Sequence, residues 1–320
     1  MGAGLDSKGD TIAVVVVTYN SERLIADLVA SLGPGMEGTS WHLTVADNAS
    51  SDASAAAVRR LAPQALVVEM GRNAGYAAAI NAAVAAAAPH SAVLVLNPDI
   101  RLAPRCGQLL LATQQRTGAG IVVPRLERGD GHAIPVLRRE PTVLRALGDA
   151  VLGARRAGRI PVLGEVVTGQ HYYAAESTTD WAAGSAMLIS PECWRDCGPW
   201  DESFFLYSEE TEFALRARDA GHPTRLAPQA LAVHLEGDSK VSPRLWALLT
   251  LNRVRLYRRR HQRAATAAYW GALLLREVSR AAAGSEPSRA AARALLSPAR
   301  LRETPGPHTV HSASATAARA

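Results

Sequence analysis

Residues 11–20, which read TIAVVVVTYN, decide the fold, because an unbroken apolar run leads directly into polar residues. The run Thr11–Val17 is typical of a strand buried on both faces, and Ser21–Leu32 has the periodicity of a helix. The same alternation continues along the first half of the chain. It predicts strands at Leu43–Ala46, Ala65–Glu69, Ala92–Leu96 and Ala119–Val123, and helices at Asp52–Leu61, Tyr76–Ala88 and Pro104–Arg116.

The alternation predicts an α/β fold, in which helices flank a Rossmann-like, mostly parallel sheet. Ligands of such sheets lie beyond the carboxyl ends of the strands. Three of the predicted strands lead into polar residues at that end. We therefore expect one site to be formed by Thr18-Tyr19-Asn20, Asp47-Asn48 and Asn97-Pro98-Asp99.

Composition restricts the class of protein. With 320 residues, of which 48% are hydrophobic, the chain can bury a full core. Three cysteines cannot form a closed set of disulfides, which favours a reducing, cytoplasmic setting. No signal peptide precedes Thr11, and no apolar run reaches the roughly 18 to 20 residues of a membrane span. We expect a protein that is soluble or that lies on a membrane surface.

A divalent cation is predicted at Asp99, which follows a buried strand through a proline. Mg²⁺ or Mn²⁺ accepts one or two carboxylates and takes its other ligands from a diphosphate and water. His234 follows the strand-like run Leu231–Val233 and is a candidate second ligand. The alternatives are a simple turn at Asp99 and a structural histidine.

The turn Arg72–Gly75 opens a helix and could hold an anion or the edge of a nucleotide. The chain contains neither a GxGxxG fingerprint nor a GxxxxGK[ST] loop. Dinucleotide oxidoreductases and P-loop NTPases therefore lose their main support.

The stretch Trp200–Glu212 places five carboxylates among four aromatic side chains. Carboxylates against apolar surface tend to have raised pKa values, which suits one of them to accept a proton near neutral pH. The alternative is an acidic helix N-terminus, in which Glu209, Glu210 and Glu212 favour the helix dipole.

The C-terminal region is basic and helical, with one helix predicted from Pro243 and a second over Ala264–Ala283. The cluster Arg258–Arg260 beside leucine-rich faces predicts contact with an anionic membrane surface. No nucleic-acid motif accompanies the charge, so nucleic acid is not an expected partner. The alternative is that these helices pack on the rest of the protein and leave a solvated basic face.

The order of these motifs resembles family 2 of the glycosyltransferases, and within it the rhamnosyltransferase-like group that makes bacterial surface polysaccharides. The resemblance extends from about Thr11 to Ser239. Its motifs are VVVVTYN at 14–20, ADNASSD at 46–52, GRNAGYAAAIN at 71–81, LNPD at 96–99, DWAAGSAMLIS at 180–190, residues 198–218, and the run from His234 to Ser239.

The resemblance implies a GT-A fold with a C-terminal helical extension. It implies a catalytic domain at residues 1–240, whose donor-binding half is about 11–124 and whose acceptor and catalytic half is about 125–240. Basic helices at 241–303 follow, and the tail 304–320 is expected to be disordered.

The resemblance also implies the role of each site residue. It assigns Glu210 as the general base, supported by Glu209, and Asp99 with His234 as the metal ligands. The donor-binding set is Thr18, Tyr19, Asn20, Asp47, Asn73, Gly75, Asn97 and Asp99, and the acceptor side is Trp181, Gly184, Ser185 and Asp201.

Two positions depart from the family pattern. Asn97-Pro98-Asp99 replaces a DXD motif, so only one carboxylate remains for the metal, and Glu210 replaces the usual Asp. A longer carboxylate at that position lowers the rate unless the pocket is built for it.

The implied activity is an inverting transfer of a sugar, with rhamnose favoured, from a dTDP- or UDP-linked donor to a saccharide, lipid-linked or small-molecule acceptor. The implied location is the cytoplasm, at the inner face of the plasma membrane. The two departures motivate an alternative, a non-catalytic sugar-nucleotide-binding protein of the same fold. A nucleotidyltransferase is disfavoured, because residues 18–22 lack a glycine-rich phosphate loop.

Overall fold

The computed structural model describes residues 11–235 and 242–310, and within them the chain forms one large mixed sheet covered by helices. Its strand order is β3-β2-β1-β4-β11-β6-β12-β5, with β7 beside β6 and β9 beside β12. The strands are β1 Thr11–Thr18, β2 Ser40–Asp47, β3 Leu66–Glu69, β4 Ala92–Leu96, β5 Ile100–Leu102, β6 Ile121–Glu127, β7 Ala133–Ile134, β8 Leu137–Arg138, β9 Ser177–Thr179, β10 Trp181–Ala182, β11 Ala186–Ile189 and β12 Thr224–His234.

The helices lie between and after these strands. They are α1 Glu22–Gly35, α2 Ser54–Leu61, α3 Tyr76–Ala86, α4 Cys106–Thr117, α5 Val143–Leu152, α6 Ala154–Ala157, α7 His171–Ala174, α8 Pro191–Cys197, α9 Glu209–Asp219, α10 Pro243–Arg260, α11 Arg263–Ala282, α12 Glu286–Leu295, α13 Pro298–Arg302 and α14 Pro307–Val310.

The first four strands, β1 to β4, are parallel, as the alternation predicts. Strand β1 lies between β2 and β4, which explains why residues 12–18 are all buried. The predicted strand at Ala92–Leu96 has the observed bounds of β4, and the other early elements differ from prediction by a few residues. The α/β class with a mostly parallel, helix-flanked sheet is confirmed.

The second half of the sheet is mixed. Strand β11 is antiparallel to both β4 and β6, whereas β6 and β12 are parallel. A break in register between Ala227 and Leu231 bends β12, and its last residues then pair with β5. This bend brings His234, at the end of β12, opposite Ile100, directly after the polar end of β4.

The three cysteines are free and buried. No described helix is both long enough and apolar enough to span a bilayer.

The C-terminal helices form a second apolar core, in which Tyr257 and Tyr269 stack with ring centroids 4.0 Å apart. The basic end of helix α10 also contacts residues outside the C-terminal helices. Arg259 pairs with Asp201, and Arg260 pairs with Asp219 at 2.6 Å. Two of the three arginines in the predicted lipid-binding cluster are therefore engaged within the protein, which favours the alternative that these helices pack on the rest of the protein.

Disorder after Thr304 was the expectation for the tail. Residues 307–310 instead form α14, where Thr309 is buried and its hydroxyl donates to the carbonyl of Gly306 at 2.5 Å. For this turn the prediction is wrong, because packing against α10 supplies order that the composition does not indicate. Residues 311–320 lie outside the described residues.

Candidate active site

The ends of β1 and β2 are joined through a buried aspartate. Asp47 Oδ1 accepts hydrogen bonds from Thr18 Oγ1 at 2.8 Å and from Ser50 Oγ at 2.6 Å. Its Oδ2 accepts from the backbone amide of Ser50 at 2.9 Å. Only 5% of Asp47 is exposed, so this carboxylate fixes the loop as well as bordering the site. Helix α2 begins only at Ser54, four residues after this loop contact.

The loop after β1 is held by Asn20, which has a left-handed φ of 50°. Its side-chain oxygen accepts from the backbone N–H of Ser51 at 2.8 Å, and its own backbone N–H donates to Ser50 Oγ at 2.9 Å. Tyr19 stands out from this loop with 37% of its surface exposed. Of the predicted triplet at the end of β1, Thr18 and Asn20 are thus used to shape the loop, whereas the ring of Tyr19 faces solvent.

Asn48 belongs to the site that the strand ends predict, but the resemblance assigns it no role. It is buried, and its Nδ2 donates to Asn73 Oδ1 at 3.0 Å and to the carbonyl of Gly75 at 3.1 Å. Its Oδ1 accepts from the amide of Ala74 at 2.8 Å. The signal was present in the sequence, because Asn48 directly follows Asp47 at a strand end. It holds the loop that precedes α3 against the end of β2.

Gly75 is required at the point where this donor-side loop meets the acidic stretch. Its φ is 96°, and a Cβ atom there would lie 2.5 Å from the carbonyl oxygen of Phe205. The same carbonyl accepts from the amide of Tyr76 at 2.7 Å. A glycine at this position thus allows direct backbone contact between the two halves of the site.

Asp99 and His234 are brought together as predicted. Asp99 Oδ2 lies 3.0 Å from His234 Nε2, and each side chain is less than one fifth exposed. The pairing of β5 with β12 produces this contact between residues that are far apart in sequence. Residues Glu236–Ser239 of the predicted motif lie outside the described residues.

The donor set at Asp99 suits a divalent cation that completes its coordination with a diphosphate and water. Within residues 11–235 and 242–310, no cluster of three or more His, Cys, Asp or Glu side chains could hold a metal by itself. One carboxylate and one imidazole are nevertheless sufficient protein ligands when a substrate supplies oxygens.

Tyr76 connects the metal side to the acidic stretch. Its hydroxyl donates to Asn97 Oδ1 at 2.6 Å, and the backbone N–H of Asn97 donates to the carbonyl of Ser185 at 2.9 Å. Burial, together with the carboxylates of Glu209, Glu210 and Asp99, raises the pKa of Tyr76. The phenol therefore remains a hydrogen-bond donor at neutral pH and orients the Asn97 amide.

The acidic stretch approaches α9 through strained backbone. Phe205, Tyr207 and Ser208 have φ values of 63°, 69° and 75°, which side-chain-bearing residues rarely adopt. Helix α9 then begins with Glu209, which is buried, and Glu210, which is partly buried. Strain of this kind persists only where surrounding contacts enforce it, and it often marks functional sites.

Both carboxyl groups have raised pKa values. Burial, followed by repulsion from Glu210, raises the pKa of Glu209 well above its usual value. Burial also raises the pKa of Glu210, but backbone hydrogen bonds at the helix start and the charge of Arg138 oppose the shift. One buried oxygen of each carboxyl lacks a hydrogen-bond partner among the described residues. Of the two, Glu210 is more easily ionised.

Glu210 borders a cavity of about 260 Å³ that Arg138, Trp181, Tyr207 and Arg253 also line. A Cβ atom at Gly184 would lie 3.0 Å from Glu210 Cβ, so the glycine makes room for the longer acid. The Arg138 guanidinium lies over the Trp181 ring, 5.8 Å from its centroid. Burial lowers the pKa of Arg138. The sequence did not indicate Arg138, because residues 125–179 show weak periodicity.

Asn252 of α10 is a second residue that sequence reasoning missed. It is fully buried, and its Nδ2 lies 2.9 Å from the carbonyl oxygens of both Phe204 and Leu206 and 3.0 Å from that of Tyr207. Arg255 in turn donates to Asn252 Oδ1 at 2.5 Å. The strained approach to Glu209 is thus held by the C-terminal helices, and an asparagine within an amphipathic helix gave no signal of this.

The predicted acceptor-side residues divide into two groups. Trp181 and Gly184 lie beside Glu210, and Ser185 is buried under Asn97. Asp201 instead accepts from Ser203 Oγ at 2.6 Å and pairs with Arg259. Asp201 does not border the cavity of Glu210, and its acceptor role stays a prediction.

Comparison with known proteins shows what this chain is similar to. Residues 13–155 match the family model described as "Glycosyl transferase family 2". An N-acetylglucosaminyl-diphospho-decaprenol L-rhamnosyltransferase of Mycobacterium tuberculosis is 27% identical over 241 residues, which cover 72% of this chain and 78% of that protein. The low-salt glycan biosynthesis hexosyltransferase Agl10 of Haloferax volcanii is 30% identical over 214 residues, 65% of this chain and 62% of that protein.

Among solved structures, a mannosyltransferase of Pyrobaculum calidifontis, determined in complex with GDP-Man and Mn²⁺, shares the fold. It superposes with a TM-score of 0.55 at 18% identity and covers 92% of this chain and 85% of that one. Residues 13–155 thus match the glycosyltransferase family 2 model, the chain is similar to a rhamnosyltransferase, and it shares the GT-A fold.

Proposed function

We propose that the protein is an inverting glycosyltransferase that moves a sugar from a nucleotide-diphosphate donor to an acceptor hydroxyl, with Glu210 as the general base. The observation that carries the proposal is the position of Glu210 between the cavity it borders and the donor-side wall, which contacts the same loop at Gly75. A single displacement at the anomeric carbon inverts the configuration of that carbon. This reaction needs one general base, on the acceptor side.

The two buried carboxyls favour different roles. Glu209 has the more strongly raised pKa and is 2% exposed, so we assign it the protonated form at neutral pH. A protonated neighbour removes the repulsion that would otherwise hinder ionisation of Glu210. Glu210 is then the carboxylate that accepts the acceptor hydroxyl proton, while the cavity supplies room for the acceptor.

We assign Asp99 and His234 to a divalent cation at the donor diphosphate. When bound, the cation would offset the charge that develops on the leaving diphosphate. Asn97, oriented by Tyr76, would contact the donor from the same strand end. Tyr19, Asp47, Asn73 and Gly75 would form the wall for the nucleotide.

The relatives guide the choice of substrates. The mycobacterial protein is named for rhamnosyl transfer to a diphospho-decaprenol-linked sugar. We therefore propose rhamnose from a dTDP- or UDP-linked donor and a saccharide acceptor, lipid-linked or free, in the synthesis of a polysaccharide. Small-molecule acceptors remain part of the proposed class. The proposed location is the cytoplasm, peripheral to the inner face of the plasma membrane.

The direct test combines a panel of nucleotide sugars with the Glu210→Gln variant in the presence of Mn²⁺. We expect kcat to fall roughly 10²- to 10⁴-fold for the best donor, because the amide cannot accept the proton. Glu202→Gln is the matched control, since it removes a charge from the same stretch on an exposed side chain. An unchanged kcat in Glu210→Gln would exclude the base assignment. Nucleotide binding without transfer or hydrolysis of any donor would instead support the non-catalytic alternative.

A further inference from the structure

Helix α5 exposes a stripe of large apolar side chains. Leu144, Leu147 and Val151 are 53%, 37% and 73% exposed, and their spacing of three and four residues places them on one face. The opposite side of the helix carries the buried Ala146 and Asp149, which pack towards α11. The outward stripe thus has no partner in the described part of the chain.

The apolar surface continues into the segment that follows. Leu152, Ile160 and Val162 are 39%, 45% and 60% exposed. Arg145 Nε of α5 donates to the carbonyl of Pro161 at 3.1 Å, which ties this segment to the helix. A contiguous exposed apolar surface is uncommon on a protein surrounded by water and marks a site of association.

Three exposed arginines, Arg155, Arg156 and Arg159, accompany the apolar side chains. Together with Leu152 they line one shallow depression of about 480 Å³. Within residues 11–235 and 242–310, no carboxylate lies within 4.0 Å of any of the three guanidinium groups. They differ in this from Arg259 and Arg260, which are paired with acidic residues of the catalytic half.

We infer that Leu144, Leu147, Val151, Leu152, Ile160 and Val162, with the three arginines, form a docking surface for an anionic phospholipid bilayer. Apolar side chains bordered by unpaired cations fit the interface of such a bilayer, where acyl chains lie beneath phosphate groups. Arginine is well suited to phosphate recognition. A second copy of this chain would present the same cations and no carboxylates for them to pair with, which disfavours self-association at this surface.

The docking surface shares its wall with the cavity of Glu210. Asp149 of α5, Ala154 and Ala157 of α6, and Gly164 border that cavity from the inside. A bilayer at the outer side of the same segment would bring a lipid-linked acceptor next to the general base. This role in acceptor delivery rests on the proposed function, whereas binding to the bilayer does not.

The test measures sedimentation of the full chain with vesicles of phosphatidylglycerol and phosphatidylcholine, compared with vesicles of phosphatidylcholine alone. We expect binding to the anionic vesicles only. The triple variant Arg155→Gln, Arg156→Gln, Arg159→Gln removes the cations and should weaken binding by about fivefold per arginine, roughly a hundredfold in total. Because no donor or acceptor is present, failure of this test is separate from failure of the proposed transferase.

The matched control is Arg258→Gln, Arg263→Gln, Arg293→Gln, which removes three exposed arginines from the C-terminal helices with the same change in net charge. It should retain binding. A second variant, Leu147→Ser with Val151→Ser, should weaken binding also at high salt, because it removes apolar contacts. Three outcomes would each overturn the inference. They are an equal loss of vesicle binding in both triple arginine variants, no binding of the wild type to anionic vesicles, and a dimer of the wild type that Leu147→Ser with Val151→Ser abolishes. Unchanged melting temperatures would confirm that these surface variants fold.

Discussion

The two sides of the active site differ in how their polar groups are satisfied. On the proposed donor side, the side chains of Asp47, Asn48 and Asn73 are hydrogen-bonded. Asp47 accepts from the backbone N–H of Ser50, and Asn73 Oδ1 accepts from Asn48 Nδ2 and from the backbone N–H of Gly75. On the side of the proposed base, Glu209 and Glu210 each have one buried carboxyl oxygen without a partner among the described residues, and both follow a strained segment.

The difference teaches which parts of the site are stable by themselves. The donor wall is formed by loops between adjacent parallel strands, so its geometry follows from the sheet. The base loop has positive φ values at Phe205, Tyr207 and Ser208 and depends on contacts from elsewhere, namely Gly75 on one side and Asn252 on the other. Strained backbone raises the free energy of the folded state. A loop keeps such a conformation only where contacts with the rest of the protein enforce it.

The largest effect is expected where the two sides touch. Gly75→Ala would place a methyl group 2.5 Å from the carbonyl oxygen of Phe205, in a backbone conformation that alanine rarely adopts. We expect the free energy of unfolding to fall by about 3 kcal/mol or more, since strain and overpacking add. Urea denaturation measures this change.

Gly118→Ala is the control for conformation alone. Its φ is 67°, but a Cβ there would meet nothing within 4 Å. It should cost only about 1 kcal/mol. Similar losses in the two variants would show that contact between Gly75 and Phe205 does not limit the structure.

The next effect concerns the support of the base loop by α10. Asn252→Ala would leave the carbonyls of Phe204, Leu206 and Tyr207 without their shared donor. We expect kcat to fall about tenfold to a hundredfold, because a small displacement of Glu210 misaligns it with the acceptor. The pH dependence of kcat should also shift, since the surroundings of Glu210 change.

Leu273→Ala separates positioning from stability. Leu273 is buried in the second apolar core, away from the loop, and its truncation costs about 2 to 5 kcal/mol. At a temperature where both variants are folded, it should retain the kcat and the pH profile of the wild type. If Leu273→Ala lowers kcat as much as Asn252→Ala does, the positioning role is excluded.

The same contrast explains what the sequence could predict. The donor side follows from local signals, since each polar group comes directly after an apolar run, and Thr18, Asp47 and Asp99 were placed correctly at strand ends. The contact between Asp99 and His234 does not follow from either strand end alone, because it depends on the bend in β12.

The base side could be predicted only in part. The acidic stretch is visible as a pattern, and Glu210 was assigned through the resemblance. The residues beside this stretch, Arg138 and Asn252, were not predicted. Arg138 comes from a segment without clear periodicity, and Asn252 from a helix whose apolar pattern indicates only packing. Pairings over such separations in sequence depend on tertiary structure, which no local pattern encodes.

On the donor side, a smaller effect with a different kinetic signature is expected. Asn48→Ala removes the three hydrogen bonds that hold residues 73–75 to the end of β2. We expect KM for the nucleotide sugar to rise about tenfold, equivalent to about 1.4 kcal/mol, with kcat little changed. The reason is that the donor wall contributes binding rather than proton transfer.

Asn81→Ala provides the comparison, since this amide also bridges backbone groups but contacts Trp200 on the acidic stretch. It should leave KM for the donor unchanged. Steady-state kinetics with the best donor measure both variants. A fall in kcat without a rise in KM for Asn48→Ala would contradict the division of the site into a binding side and a base side.

The smallest effect tests the electrostatics of the buried pair through Glu209→Gln. Glu209 binds its proton more tightly in the folded state than in the unfolded chain, where its pKa is about 4.3. The folded wild type therefore loses stability as pH rises from that value through the raised pKa of Glu209. Glutamine carries no proton to lose, so the variant should equal the wild type near pH 4 and become progressively more stable than the wild type as the pH rises to 8. Melting temperatures across this pH range measure the difference.

Glu202→Gln, on an exposed carboxylate, is the control, and its melting temperature should vary with pH as that of the wild type does. If the melting temperature of Glu209→Gln also varies as the wild type's does, Glu209 is ionised in the folded protein. The assignment of the base to Glu210 alone would then lose its electrostatic basis.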